Sequence, residues 1–333
     1  MPLVAHTDLP AFDRIRDEGV SVAHPDEVAG SELPEIHVGL LNLMPDLALR
    51  ATDRQFARLV ASYGESANIW LHVFGLGVDS RGSAAREHID NHYETFEEVR
   101  SRHIDALIVT GANPMYVDMT REAFWPELVD VFEWADHSVA STLCSCWATH
   151  AVFKIYWGVE RVRLPEKMWG VYSHDLVASH PLLSGLESPV IAPHSHFFDL
   201  ASEPIESVGA AVLMRSDEAG VHMAVHDEAG FVFFQGHPEY DAISLLKEYK
   251  REVWRYLTDQ RETYPPLPDH YFDELAIERL TAYRAEVDRA PGPASVPEFP
   301  ESQIAGDLGS PWRHAGQIIY RNWLRGLETS GGH

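Results

Sequence analysis

Cysteine and lysine are both scarce in this chain of 333 residues, and each shortage removes a class of function. The two cysteines, Cys144 and Cys146, are separated only by Ser145 and cannot found a disulfide framework, so a buried core must hold the fold. Only Lys154, Lys167, Lys247 and Lys250 are lysines among 26 basic residues, against 51 acidic ones. The resulting net charge of −25 disfavours nucleic acid as a partner, because phosphate backbones attract the opposite sign. No apolar run reaches the length of a membrane span, and no membrane association is expected. The first residues are acidic, carry Pro2 and Pro10, and lack the basic and apolar regions of a secretory leader. A cytoplasmic location is the expectation. Internal repeats and low-complexity tracts are lacking too.

What is present is a series of short apolar, β-branched runs, at Ile36 to Leu43, Ile69 to Phe74, Ala106 to Val109, Val139 to Leu143 and Phe231 to Phe234, with helical patterns between them. That alternation predicts an α/β fold with a doubly wound, mostly parallel sheet, whose crevices lie at the strand carboxyl ends. A chain of this length buries about three quarters of its unfolded surface, in one large domain or split into two. The core is expected over 36–258, preceded by an N-terminal segment, 1–35. Seven prolines between Pro265 and Pro300 flank a helix-like stretch from Tyr271 to Arg289, so 259–311 reads as an elaborated surface segment. The last stretch, 312–333, is expected to pack back on the core.

Two places carry chemistry. Cys146 ends a strand-like run and precedes Ala148 to Tyr156, which has helical spacing and a stop at Gly158. A thiol at such a strand-to-helix turn has the positive helix end and unpaired N–H groups beside it, which favour a thiolate and donate to an oxyanion. The plain alternative is a small buried hydrophobe. The second place is Gly236-His237-Pro238-Glu239-Tyr240-Asp241, where an imidazole and a carboxylate stand two residues apart after Phe231 to Phe234. Together the two places supply a nucleophile, a base and a carboxylate to orient it. Thr110-Gly111-Ala112, after another strand-like run, is a turn whose backbone N–H groups could serve an oxyanion hole, although glycine there also suits a tight turn.

Further motifs extend the pattern: Leu41-Asn42-Leu43-Met44-Pro45, Leu107-Ile108-Val109-Thr110-Gly111-Ala112, Ser141-Thr142-Leu143 with Cys146-Trp147-Ala148, Glu166-Lys167 with Gly170-Val171-Tyr172, and Ala192-Pro193-His194-Ser195. Trp312-Arg313-His314 with Gly316, and Asn322-Trp323-Leu324, follow near the C-terminus. In this order, and almost end to end, they resemble the homoserine O-acyltransferases of the methionine pathway, relatives of the class I glutamine amidotransferases. The resemblance implies a flavodoxin-like three-layer sandwich of the glutamine amidotransferase type. It also implies ping-pong transfer of an acetyl or succinyl group from acyl-CoA to L-homoserine. Cys146 would be the acyl-thioester nucleophile, His237 the base and Glu239 its orienting carboxylate. Ala112 and Trp147 would frame the oxyanion hole, and Lys167, Ser195 and Arg251 would bind the acceptor. A guanidinium at Arg251 suits the acceptor carboxylate and Glu248 its ammonium. Acyl-CoA is then a co-substrate, no cofactor is bound permanently, the partners are small molecules, and a homodimer is left open.

Departures from that family bear on the substrate. Asp46-Leu47 replaces lysines, His196 stands where many relatives carry Arg, and Met115 occupies the position that separates acetyl from succinyl donors. Met115 would fill the space a succinyl tail needs, which favours acetyl-CoA. Arg50, Arg54 and Arg58, at helical spacing, are candidates for CoA contact. A transferase acting on another hydroxy amino acid such as L-serine, and a glutamine amidotransferase-like hydrolase, remain alternatives. His194-Ser195-His196 and His237-Pro238-Glu239 match no strong zinc spacing, so no metal is expected.

Overall fold

The computed structural model describes residues 3–64, 66–290 and 292–330. Eleven strands join in one sheet: β1 (Leu3–Val4), β2 (Val22–Ala23), β3 (Glu35–Leu41), β4 (Asn68–Phe74), β5 (Ala106–Val109), β6 (Ser141–Ser145), β7 (Val162–Leu176), β8 (Val190–Asp199), β9 (Ala211–Ser216), β10 (Gly220–His226) and β11 (Phe231–Phe234). Their order is β2-β1-β4-β3-β5-β6-β11-β10-β9-β7-β8. The pairs from β2 through to β11 are parallel, and the rest antiparallel. Taken in chain order, the inner strands β4-β3-β5-β6-β11 read 2-1-3-4-5, the flavodoxin-like doubly wound order.

Alternation along these strands feeds two apolar layers. Ala106 and Ile108, with Val38, Leu40 and Phe234, pack on one face against α1 (Pro10–Asp17), α2 (Leu49–Val60) and the C-terminal helix. Leu107 and Val109, with Leu41, Cys144 and Phe233, pack on the other against α3 (Trp125–Ser138) and α4 (Trp147–Trp157). Both faces are covered, so the strands read as unbroken apolar runs. The N-terminal segment contributes β1 and β2 to the sheet edge. The fourth expected run, at Val139, starts instead at Ser141 and continues through Ser145, which places Cys146 directly after the strand.

The antiparallel half was not foreseen. β7 meets β9 only at Asp175 and Leu176, so the β7–β8 ribbon bends back over the end of β11, and His237 N–H donates to Pro193 O at 2.8 Å. α5 (Ser244–Leu257) and α6 (Glu274–Arg289) share a third apolar cluster through Tyr249, Leu280 and Tyr283. The proline-flanked segment is therefore anchored, and Asp269 exchanges backbone hydrogen bonds with Trp169 and Val171 at 2.8 and 2.9 Å. α7 (Arg313–Ser330) buries Tyr320, Trp323 and Leu324 in the first layer.

Candidate active site

Cys146 stands between β6 and α4 with φ 49° and ψ −105°, a left-handed backbone that a non-glycine residue adopts only under strain. The turn is pinned because Cys146 N–H donates to Phe234 O at 2.6 Å, joining β6 to β11. Since β6 and β11 are neighbours with Ser145 opposite Phe234, the residues after both strands emerge side by side. That register brings the two chemical motifs together. Cys144, one residue back on the strand, is fully buried, and burial pushes its thiol well above the ordinary range. Cys146 keeps 8 % exposure.

His237 lies near enough to Cys146 for the sulfur to act on its charge, and its Nδ1–H donates to Glu239 Oε1 at 2.7 Å. Burial disfavours the imidazolium, but the Glu239 carboxylate and the Cys146 sulfur outweigh it and raise the His237 pKa to about 10. Pro238 between them makes the two side chains share one side of the turn. Gly111 lies against Cys146, where an added Cβ would stand 3.6 Å from Cys146 Cβ. Ala112 follows in the same turn, and Trp147 opens α4, where backbone N–H groups lack helical partners. Both candidate oxyanion residues therefore flank Cys146.

Glu248 on α5 organises a second group. Its Oε2 accepts from Lys167 Nζ at 3.0 Å, Trp169 Nε1 at 2.9 Å and Ser195 Oγ at 2.6 Å, while Oε1 accepts from Tyr240 OH at 2.7 Å. Burial opposes ionisation of Glu248, yet Lys167 and the hydroxyl donors prevail and hold its pKa at about 2. The Tyr240 ring stacks on His237 at 4.3 Å, so this group adjoins that of Cys146, His237 and Glu239. Four protein donors already engage Glu248, which fits it to position Lys167 and Ser195 more than to meet an ammonium itself.

Other expected residues fall elsewhere. Arg251 follows on α5, but its side chain is half exposed with Glu252 Oε1 3.7 Å away, and it is not tied to the Glu248 group. Met115 is 82 % exposed and fills no pocket, because Glu122 Oε1 accepts from Met115 N and Tyr116 N and turns the loop outward. Arg54 and Arg58, read as CoA contacts, form ion pairs with Asp241 and Glu18, and Arg50 is exposed.

Three residues went unread in the sequence. Gln235 directs its amide at Cys146 Sγ at 4.0 Å and accepts from His150 Nε2 at 2.6 Å. His150 lies on α4 four residues after Cys146, a spacing that puts it on the same face. Arg161 stacks over Phe198 at 3.8 Å and donates to Tyr116 O and Val117 O at 3.3 and 2.9 Å. Burial lowers its pKa, nearby Cys146 and Glu122 oppose that, and its Nε has no hydrogen-bond partner among the described residues.

Residues 2–328 match the model of the homoserine O-succinyltransferase family. A homoserine O-succinyltransferase of Methylococcus capsulatus is 45 % identical over 97 % of this chain and 92 % of its own. One from Allochromatium vinosum is 46 % identical over the same shares. Among solved structures, a glutamine amidotransferase of Thermotoga maritima aligns with TM-score 0.45 and 12 % identity, over 88 % of this chain and 97 % of its own. With one family model spanning nearly the whole sequence and relatives this similar over 92 % of their own length, the chain belongs to the homoserine O-succinyltransferase family.

Proposed function

We propose that this protein transfers a succinyl group from succinyl-CoA to the hydroxyl of L-homoserine, through a thioester on Cys146. The observation that carries the reading is the strained Cys146 at a helix start, near a His237 whose Nδ1 is held by Glu239. The cysteine thiolate attacks the thioester carbonyl of the donor, and the oxyanion that forms faces the Ala112 turn and the Trp147 N–H. CoA leaves as its thiolate and takes the proton stored on His237. The neutral imidazole then removes the proton of the acceptor hydroxyl, whose oxygen attacks the acyl-cysteine and expels the Cys146 thiolate. Lys167, Ser195 and Arg251 are assigned to the acceptor, with Glu248 holding the first two in place.

The relatives' names and the loop geometry favour succinyl over acetyl. Met115 faces solvent and gives no steric reason to exclude a longer tail, which removes the ground for an acetyl preference. Arg161, with a free Nε near Cys146, offers the tail carboxylate a charged partner. Mass spectrometry of the protein after incubation with each acyl-CoA tests this. A succinyl adduct on the Cys146 peptide, cleared by L-homoserine, is expected. An acetyl adduct alone, or loss of the acyl group to water without an acceptor, overturns the proposal.

A further inference from the structure

Three histidines that the acyl-transfer scheme does not use meet where the antiparallel ribbon bends back. His174 on β7, His194 on β8 and His222 on β10 are 0 %, 0 % and 1 % exposed. Each presents a ring nitrogen within 4.8 Å of the other two. Spread over three strands, they form no ligand spacing that a linear reading detects. Their common centre lies beside Gly236, where an added Cβ would stand 2.7 Å from His222 Nδ1, 2.8 Å from His194 Nε2 and 2.8 Å from Pro193 O. The space next to the residue preceding His237 is thus lined by two imidazole nitrogens and a carbonyl oxygen. His222 Nδ1 has no hydrogen-bond partner among the described residues, and a buried polar atom of that kind calls for a reason.

The placement of protons follows from one end of the chain of rings. Phe198 O can only accept, so His196 Nδ1 carries the proton of their 2.7 Å hydrogen bond. With His196 neutral, its Nε2 accepts from His194 Nδ1–H at 2.9 Å. His194 Nε2 therefore keeps its lone pair, which accepts from His174 Nε2–H at 3.0 Å and is open to a metal once that proton moves to His174 Nδ1, an atom without a partner among the described residues. A histidine whose other N–H is fixed by a neighbour is the arrangement that orients metal ligands. Burial lowers the pKa of all three rings, that of His174 to about 4, which keeps them in the neutral form a metal binds. No carboxylate belongs to the group, and an all-imidazole set suits zinc-like ions and not magnesium or calcium.

We propose that His174, His194 and His222 bind one divalent transition-metal ion of the zinc class, which clamps β7, β8 and β10 beneath the loop that carries His237. Pro193, between the clamp and the catalytic turn, accepts the His237 N–H at 2.8 Å, so the ion fixes the backbone of the base. Its binding does not depend on the acyl-transfer reading. A second group, His6, His72 and Glu94, is a weaker candidate because only His72 of the three is buried and Glu94 is already ion-paired with Arg102 Nε at 2.9 Å.

The test is a titration of chelator-dialysed, metal-free protein with Co2+ and Zn2+. A single equivalent of Co2+ should give the visible bands of a nitrogen-ligated site, and Zn2+ should displace it and raise Tm. His72→Asn should behave as the wild type. His222→Phe, which keeps a ring in place, should abolish binding, and His196→Gln should weaken it roughly 10–100-fold, as loss of an outer partner does. Wild-type protein without saturable binding of one equivalent, or undiminished binding in His222→Phe, overturns the proposal.

Discussion

At Cys146 the backbone and the chemistry are in conflict, and the conflict is measurable. A φ of 49° costs a side-chain-bearing residue about 1–3 kcal/mol, held here by the Cys146 N–H bond to Phe234 O. Glycine ordinarily destabilises by about 0.5–1 kcal/mol relative to alanine. At this position the order should reverse, with Cys146→Gly more stable than Cys146→Ala in urea unfolding. Alanine retaining its usual advantage would show that the turn is unstrained. The imidazole and its carboxylate separate by role: His237→Ala should lose roughly two to four powers of ten in rate. Glu239→Gln should lose less, because orientation suffers while the base remains. Wild-type activity in Glu239→Gln would leave that carboxylate with a structural part only. At Arg161, replacement by Met should raise KM for succinyl-CoA well above that for acetyl-CoA, and equal effects on the two donors would remove it from the acyl pocket.

Elements differ in how far the sequence reveals them. β5 and β11 are buried on both faces, so Ala106–Val109 and Phe231–Phe234 appear as apolar runs and are placed without error. β7 begins exposed and kinks between Arg163 and Met168, and its pairing is non-local, so neither period nor turn chemistry announces it. For the same reason Cys146, His237 and Glu239 were legible while the histidine cluster was not: the first group ends adjacent strands, and the second is assembled by the bend of the ribbon. Helix α5 shows the limit of helical spacing as a guide. Glu248 and Arg251 are one turn apart, yet Glu248 is embedded among four donors and Arg251 stays half exposed. If Arg251 clasps the acceptor carboxylate, Arg251→Lys should raise the acceptor KM while acylation of Cys146 proceeds unchanged. Matching losses in both half-reactions, or no loss in either, would sink that assignment.

For the molecule as a whole, acid is the sensitive direction. Glu248 joins α5 to β7 through Lys167 and Trp169 and to β8 through Ser195, so its ionisation couples three elements. Its carboxyl falls from the ordinary 4.5 to about 2 on folding. A depressed carboxylate stabilises the fold above its unfolded value and stops doing so as pH drops through the folded one. The effect is present in full above about pH 4.5 and vanishes toward pH 2, with a size on the order of 3 kcal/mol. Asp241, lowered against burial by Arg58 and Arg54, acts in the same sense. His237 behaves oppositely: raised to about 10, it stabilises below its ordinary 6.5 and fades as pH rises through 10. Stability should therefore have a plateau in the neutral range with separate acid and alkaline limbs. Glu248→Gln isolates one limb, since the amide keeps the shape and loses only the charge. In urea unfolding the wild type should exceed the variant by its full margin at neutral pH, and the gap should close between about pH 4.5 and 2. Curves that stay parallel down to pH 2 would mean that Glu248 holds the site by shape alone.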